Sequence, residues 1–374
     1  MSEIRMVDLV GQYQEIKEEL REAFDSILNN ASFINGSEVK EFASEFEEYL
    51  GVKHVIPCAN GTDALQIALM ALNLAPGSEV ICPSFTFVAT AEVISLLGLK
   101  PVFVDVNPDT FNLDIESVKA SISSSTKVII PVHLYGLPVD MEPLLTLAKE
   151  KGIMIVEDTA QGIGADLMID GEHRKVGTIG DIGCTSFFPS KNLGAFGDGG
   201  AIMTNDDQLA DKMRKIVNHG MEKRYYHELV GVNSRLDTLQ AAVLRIKLRK
   251  LDTYNSNRNT AAEYYTEAFG SVEELICPTI PSDRKHVFHQ YTLRVKNGKR
   301  DALKQHMDDL GIPAMVYYPV PLHEQKPYRR ERISPHGLPV TRMLKDEVIS
   351  LPMHTELTVS QLKEITEAVI KFFN

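Results

Sequence analysis

The sequence predicts an α/β fold, with a large domain built on a mainly parallel sheet followed by a smaller α+β domain. Two observations predict it. From residue 52 to about residue 205, short β-branched runs alternate with helical stretches. That spacing implies right-handed crossovers and a sheet covered on both faces. From residue 270 onward the alternation stops, and a proline-rich patch interrupts the chain between 319 and 341.

The elements follow in order. Glu15–Leu28 and Glu38–Leu50 carry helical periodicity and form a lead-in. His54–Cys58, Glu79–Cys82, Pro101–Asp105, Lys127–Val132, Ile153–Asp158 and Gly183–Phe188 read as strands. Thr62–Leu74, Val88–Leu97, Ile115–Ser121 and Met141–Lys151 read as the helices between them. Leu236–Ala268, rich in Leu, Ala, Lys and Arg, predicts one long helix bridging into the second domain. Val287–Val295 then predicts a strand, Arg300–Leu310 a helix, Ala314–Tyr318 a strand and Ser360–Phe373 a closing helix. The expected division is residues 1–250 and residues 251–374.

A length of 374 residues is ample for a sizeable core. The 39 lysines and arginines against 51 acids leave a net charge of −12, which argues against nucleic acid and against an anionic membrane surface. An anionic small substrate would need a local basic pocket. The first residues show neither a signal-peptide core nor a twin-arginine pattern, and no apolar run reaches membrane-spanning length. Cys58, Cys82, Cys184 and Cys277 are widely spaced, and the first three lie in apolar or strand-like runs. Reduced core thiols in a cytoplasmic protein are therefore expected, and a zinc site is not. His286-Val-Phe-His289 has a spacing that suggests metal but lacks a carboxylate or cysteine partner, so no metal ligand is assigned. His219 and His227 flank a polar loop and read as surface or substrate-loop groups.

The most informative segment is Ser186-Phe-Phe-Pro-Ser-Lys191-Asn-Leu-Gly194-Ala-Phe-Gly197-Asp-Gly-Gly200. A lysine between a strand and a glycine run either opens an exposed turn or, shielded by burial, reacts as a free amine. The second role would be a Schiff base with pyridoxal phosphate. Asn60-Gly-Thr-Asp-Ala is a strand-turn-helix junction with Thr62 near the cap; it is an ordinary capped helix or a phosphate site. Neither a Walker A nor a GxGxxG pattern is present. Asp158 ends a predicted parallel strand in Glu157-Asp-Thr-Ala-Gln161, where it either caps the next turn or faces a pyridine nitrogen. Ser84-Phe-Thr-Phe-Val-Ala-Thr90 offers Phe87 to stack on a planar ring and Phe85 to the core. Asn233 and Arg235, ahead of the long helix, either cap it or reach a phosphate or carboxylate.

These motifs, with Ile130-Pro-Val-His-Leu-Tyr-Gly136 and Asn233-Ser-Arg-Leu-Asp-Thr-Leu-Gln-Ala-Ala242, stand in the order found in the DegT/DnrJ/StrS family of nucleotide-sugar aminotransferases, which the chain resembles from about Phe33 to Pro352. The resemblance implies the type I, aspartate-aminotransferase-like fold of pyridoxal-phosphate enzymes, with a seven-stranded main sheet. It implies Lys191 as the Schiff-base lysine and proton carrier, Asp158 as partner of the pyridine nitrogen, Gln161 against the ring oxygen and Phe87 on the ring face. Gly61, Thr62 and Ser186 would hold the phosphate, joined by Asn233 from the second subunit of a homodimer. Arg235, Tyr318 and His323 would contact the substrate. The implied reaction moves an amine from glutamate to a keto sugar on a nucleotide diphosphate, releasing 2-oxoglutarate, with ping-pong kinetics. A family branch with histidine at the lysine position removes a hydroxyl instead, so Lys191 favours transamination; a regulatory or purely binding role has no need of the lysine.

The run Asn218-His-Gly-Met-Glu-Lys-Arg-Tyr-Tyr-His227 is most similar to the branch acting at C3 of UDP-2-acetamido-2-deoxy-3-oxo-glucuronate, which serves surface polysaccharides such as lipopolysaccharide. Tyr317 stands where that branch carries histidine. An aminotransferase for a dTDP-3-oxo-6-deoxyhexose is the alternative. Lys326, Arg329, Arg330 and Arg332 form either a diphosphate contact or a solvated basic face.

Overall fold

Asn60 starts the first crossover helix of the main sheet: its side-chain oxygen accepts from the Asp63 N–H at 2.8 Å, capping Gly61–Ala71. The same logic recurs at Asp206, which accepts from Gln208 and Leu209, and at Thr358, which forms a capping box with Gln361. The computed structural model describes residues 3–374.

The main sheet runs in the order His54–Cys58, Gly200–Thr204, Ile182–Ser186, Met154–Asp158, Thr126–Ile129, Glu79–Pro83, Lys100–Val104, Arg332–Ile333. Its pairs are parallel except those made by Gly200–Thr204, which runs antiparallel to both neighbours. The resemblance implied seven strands; the sheet has eight, because the two-residue Arg332–Ile333 adds to the edge beside Lys100–Val104. Helices cover both faces, so the central strands are apolar throughout: Val80, Ile81, Cys82, Val102, Phe103 and Val104 are fully buried. Burial of this kind, about 25 cal/mol per Å² of apolar surface, is the main stabilising term.

The predicted strands and crossover helices occur close to the expected bounds. Three expectations need correction, and one strand was not foreseen. Leu236–Ala268 is two helices, Thr238–Leu248 and Leu251–Phe269. The first packs Leu244 and Leu248 with Phe42 and Phe46, while the second sends Tyr265 and Phe269 to a separate core. One straight helix could not face both. Ala314–Tyr318 is not a strand; only Met315 bridges to Ser350. The Val287–Val295 strand begins at Tyr291, because Phe288 takes a positive φ of 41° and its N–H turns back to His286 Nδ1. Gly200–Thr204 went unread because the glycine run Gly197-Asp-Gly-Gly200 leading into it looks like a loop.

After residue 250, Leu275–Ile276, Tyr291–Val295 and Val348–Leu351 form an antiparallel sheet. It packs with Leu251–Phe269, Arg300–Asp309 and Val359–Phe373 around Tyr265, Tyr291, Leu293 and Ile365. Cys58, Cys82 and Cys184 are buried and unpaired, as expected for core thiols.

Candidate active site

The carboxyl ends of the parallel strands open on a cavity of about 700 Å³. Asp158, the last residue of Met154–Asp158, is held there by two donors. Thr90 Oγ1 donates to its Oδ2 at 3.1 Å, and the Ala160 N–H donates to Oδ1 at 3.1 Å. Burial pushes its carboxyl above the usual range, against the opposing pull of those donors and of Lys191. Next to it, fully buried Glu157 locks the strand end. Its oxygens accept from the N–H groups of Gly177, Ile179 and Gly180 at 2.9, 2.8 and 2.7 Å. His133 Nδ1 accepts from the Val139 N–H at 3.0 Å, so its Nε2 carries the hydrogen and donates to Glu157 at 2.9 Å.

Lys191 lies on the loop after Ile182–Ser186, half-buried at the cavity wall. Burial pushes its amine down to about 8, while Asp158 pulls the other way. The loop is anchored from the next residue, because Asn192 Nδ2 donates to Asn255 Oδ1 at 2.8 Å and to the Val287 carbonyl at 2.9 Å. Gly61 and Ser186 meet at the foot of the cavity. A Cβ on Gly61 would fall 2.6 Å from Ser186 Cβ, so the close approach requires glycine. The start of helix Gly61–Ala71 and the Ser186 side chain thus lie together, an arrangement suited to an anion.

Phe87 is 54% exposed on the cavity wall, tilted against Tyr318 with ring centroids 6.3 Å apart, whereas Phe85 is fully buried. Gln161 accepts from the Tyr135 N–H at 2.6 Å and donates to the Tyr318 hydroxyl at 3.2 Å.

The structure therefore brings Gly61, Thr62, Phe87, Asp158, Gln161, Ser186, Lys191 and Tyr318 to one cavity. It does not bring Asn233, Arg235 or His323 there. Asn233 is exposed and bridges to Asn218, Arg235 is half-buried, and His323 shares a 2.7 Å hydrogen bond with Ser84 Oγ. Arg332 is occupied by Glu79 and the Ser121 carbonyl, while Lys326, Arg329 and Arg330 are exposed away from the cavity. His219 and His227 are exposed, joined by a 2.9 Å contact from His227 Nδ1 to the His219 carbonyl.

Sequence reasoning missed four contributors. Thr90 sat inside a motif read only for its aromatics, and Tyr135 inside one read only for order. Asn192 was overshadowed by Lys191. His289 was weighed only as half of a metal spacing, yet it lines the cavity.

The model of the DegT/DnrJ/EryC1/StrS aminotransferase family matches residues 14–370. A protein from Geobacillus stearothermophilus described as a pleiotropic regulatory protein is 44% identical, across 99% of this chain and 98% of its own. The UDP-N-acetyl-3-dehydro-alpha-D-glucosamine 3-aminotransferase of Acidithiobacillus ferrooxidans is 43% identical, across 98% and 97%. The UDP-2-acetamido-2-deoxy-3-oxo-D-glucuronate aminotransferase of Pseudomonas aeruginosa is 42% identical, across 98% and 99%. Among solved structures, NtdA of Bacillus subtilis with the bound cofactor PMP superposes with a TM-score of 0.91 at 29% identity, covering 100% of this chain and 86% of that one. A cavity pairing a buried acid with a shielded lysine, on a sheet of this order, agrees with these likenesses: the chain belongs to the DegT/DnrJ/EryC1/StrS aminotransferase family.

Proposed function

We propose that the chain uses pyridoxal 5'-phosphate to move an amine from glutamate to the C3 ketone of a UDP-linked 2-acetamido-3-oxo sugar, the glucuronate first among these, for surface polysaccharides. The observation that carries this reading is the convergence of Lys191 and Asp158 on one cavity, with the lysine amine brought down to about 8. The residues present fit the cofactor: an amine near neutrality, an acid held by Thr90 and Ala160, and a glycine-lined helix start beside Ser186. When bound, pyridoxal phosphate supplies a carbonyl carbon and an electron-accepting ring.

The chain's own residues do the rest. Lys191 would hold the cofactor through its amine, with the carbonyl oxygen leaving as water, and once displaced its Nζ would carry the proton to and from the substrate carbon. Asp158 would keep the ring nitrogen protonated, and Gly61, Thr62 and Ser186 would hold the phosphate. Phe87 would cover the ring, and Gln161, already bonded to Tyr135 and Tyr318, would border it. Asn233, exposed and off the cavity wall of its own chain, would reach the phosphate of a second subunit, so that a homodimer completes each site. Arg235 would face the sugar from the same direction, with Tyr318 and His323 contacting it from the first chain. The division near residue 250 separates the cofactor-bearing part from a smaller unit with its own core. We place the enzyme in the cytoplasm, in keeping with its unpaired core cysteines.

One observation favours a second sugar. Lys191 is the sole lysine or arginine among the described residues lining the cavity, and Tyr317 sits in that wall. A sugar carboxylate would depend on Arg235 from the second subunit, whereas a neutral 3-oxo-N-acetylglucosamine would not. Offering each UDP sugar and a dTDP-3-oxo-6-deoxyhexose, and following 2-oxoglutarate release, tests the reading. Turnover of the uronate supports it, turnover of only the N-acetylglucosamine supports the second sugar, and turnover of only the deoxyhexose overturns both.

A further inference from the structure

His289 lines the cavity with 6% of its surface exposed, beside the residue that follows Lys191. The hydrogen bonds of Asn192 fix its chemical state. A carbonyl can only accept, so the Val287 oxygen, 2.9 Å from Asn192 Nδ2, identifies that end of the amide as nitrogen. Both amide hydrogens are then committed, one to Val287 and one to Asn255. The other end, Oδ1, can only accept, and it lies 3.2 Å from His289 Nδ1. Nδ1 must therefore carry a hydrogen. Burial, then the charges of Lys191 and Arg258, push this histidine's pKa well below its ordinary value, so the ring is neutral. A neutral imidazole with a hydrogen on Nδ1 has a lone pair on Nε2. Nε2 has no hydrogen-bond partner among the described residues and is not sealed from the cavity. The backbone is fixed as well, with Arg258 Nη1 donating to the carbonyls of Phe288, His289 and Met353 at 3.2, 3.3 and 3.0 Å.

We propose that His289 is a positioning residue for Lys191: its Nε2 lone pair, unpartnered in this structure, accepts a hydrogen bond from the lysine amine once substrate has displaced that amine from the cofactor. The proposal rests on the reading of Lys191 given above and deepens it. The chemistry suits the position. A cation there would repel the lysine while it is protonated, and a second carboxylate would hold it as an unreactive ammonium. A neutral acceptor does neither, and it aims the amine while leaving it free to give and take a proton. The Asn192 amide couples this arrangement to the lysine loop itself, since neighbouring residues carry the two halves of the device.

Nitrogen NMR of histidine-labelled protein reads the tautomer directly, in the apoprotein and the holoenzyme. The expected His289 signal is a protonated Nδ1 and an unprotonated Nε2 from about pH 6 to about pH 9. An Nε2–H tautomer or an imidazolium near neutrality overturns the proposal. His289→Leu removes the acceptor and is expected to lower kcat on the order of 10²-fold, as for a misplaced reacting group. Its KM values should stay within about twofold of the parent, because binding is not what it loses. His289→Gln keeps an acceptor and should retain most of kcat. Equal losses in the two variants, or an unchanged kcat in His289→Leu, overturn the proposal, and the NMR result needs no variant to fold. A wild-type enzyme that never links cofactor to Lys191 defeats the underlying reading instead, whatever tautomer His289 adopts.

Discussion

Glu157→Gln is the sharpest structural perturbation of the site that leaves every proposed ligand contact in place. Oε1 accepts from Ile179 and Gly180, and Oε2 from His133 and Gly177. Whichever way a glutamine amide is turned, its NH₂ faces two N–H donors, and His133 cannot adapt because Val139 holds its Nδ1 as acceptor. Two charge-assisted hydrogen bonds at about 1.5–3 kcal/mol each are lost, about 3–6 kcal/mol in all. That is a large part of the roughly 5–15 kcal/mol by which an ordinary globular domain is stable. The carboxyl also carries a pH signature. Burial raises its pKa, but His133 and the backbone donors outweigh burial and bring it below its usual 4.5. A lowered folded pKa means the stabilisation is complete above the unfolded value and disappears as pH falls through the folded one. Urea unfolding of the apoprotein as a function of pH is the assay. The variant should lose its stability at neutral pH and show a flatter acid limb. A loss under about 1 kcal/mol, with the acid limb unchanged, would refute the reasoning.

Four further outcomes follow from the same geometry. Gly61→Ala pushes a methyl group against Ser186, 2.6 Å away, so cofactor affinity should fall by about 1–3 kcal/mol, measured by titration of apoprotein; unchanged affinity would remove Gly61 from the phosphate site. Capture of the cofactor by apoprotein should accelerate as pH rises through about 8 and then level off, because the free amine is the reactive form; a midpoint near the usual 10.5 would contradict the shielding of Lys191. The unfolded lysine binds its proton more tightly than the folded one, so apoprotein stability should also rise between those two pH values. Mixing inactive Lys191→Ala and Asn233→Ala proteins should restore activity, since mixed dimers contain one intact site; mixtures as inactive as their parents would place Asn233 elsewhere.

Much of this site was legible because the sequence repeats one physical device. Each parallel strand ends where a turn must present polar groups, and Asn60, Phe87, Asp158 and Lys191 all fall at such ends. Local periodicity therefore located the strands and their functional tips together. What stayed hidden depends on contacts distant in sequence. Thr90 meets Asp158 across 68 residues and His289 meets Asn192 across 97, and neither pairing leaves a local pattern. The break after Leu248 carries no proline or glycine; it reflects two cores pulling on one amphipathic run. Ala314–Tyr318 has the β-branched and aromatic composition of a strand, but Tyr317 and Tyr318 are turned to the cavity wall.

Reduction of the cofactor-loaded enzyme with borohydride, followed by digestion and mass spectrometry, tests the central claim most directly. The account predicts a stable pyridoxyl adduct on the peptide containing Lys191, absent from Lys191→Ala. An adduct on another lysine, or none with the cofactor present in excess, would contradict it.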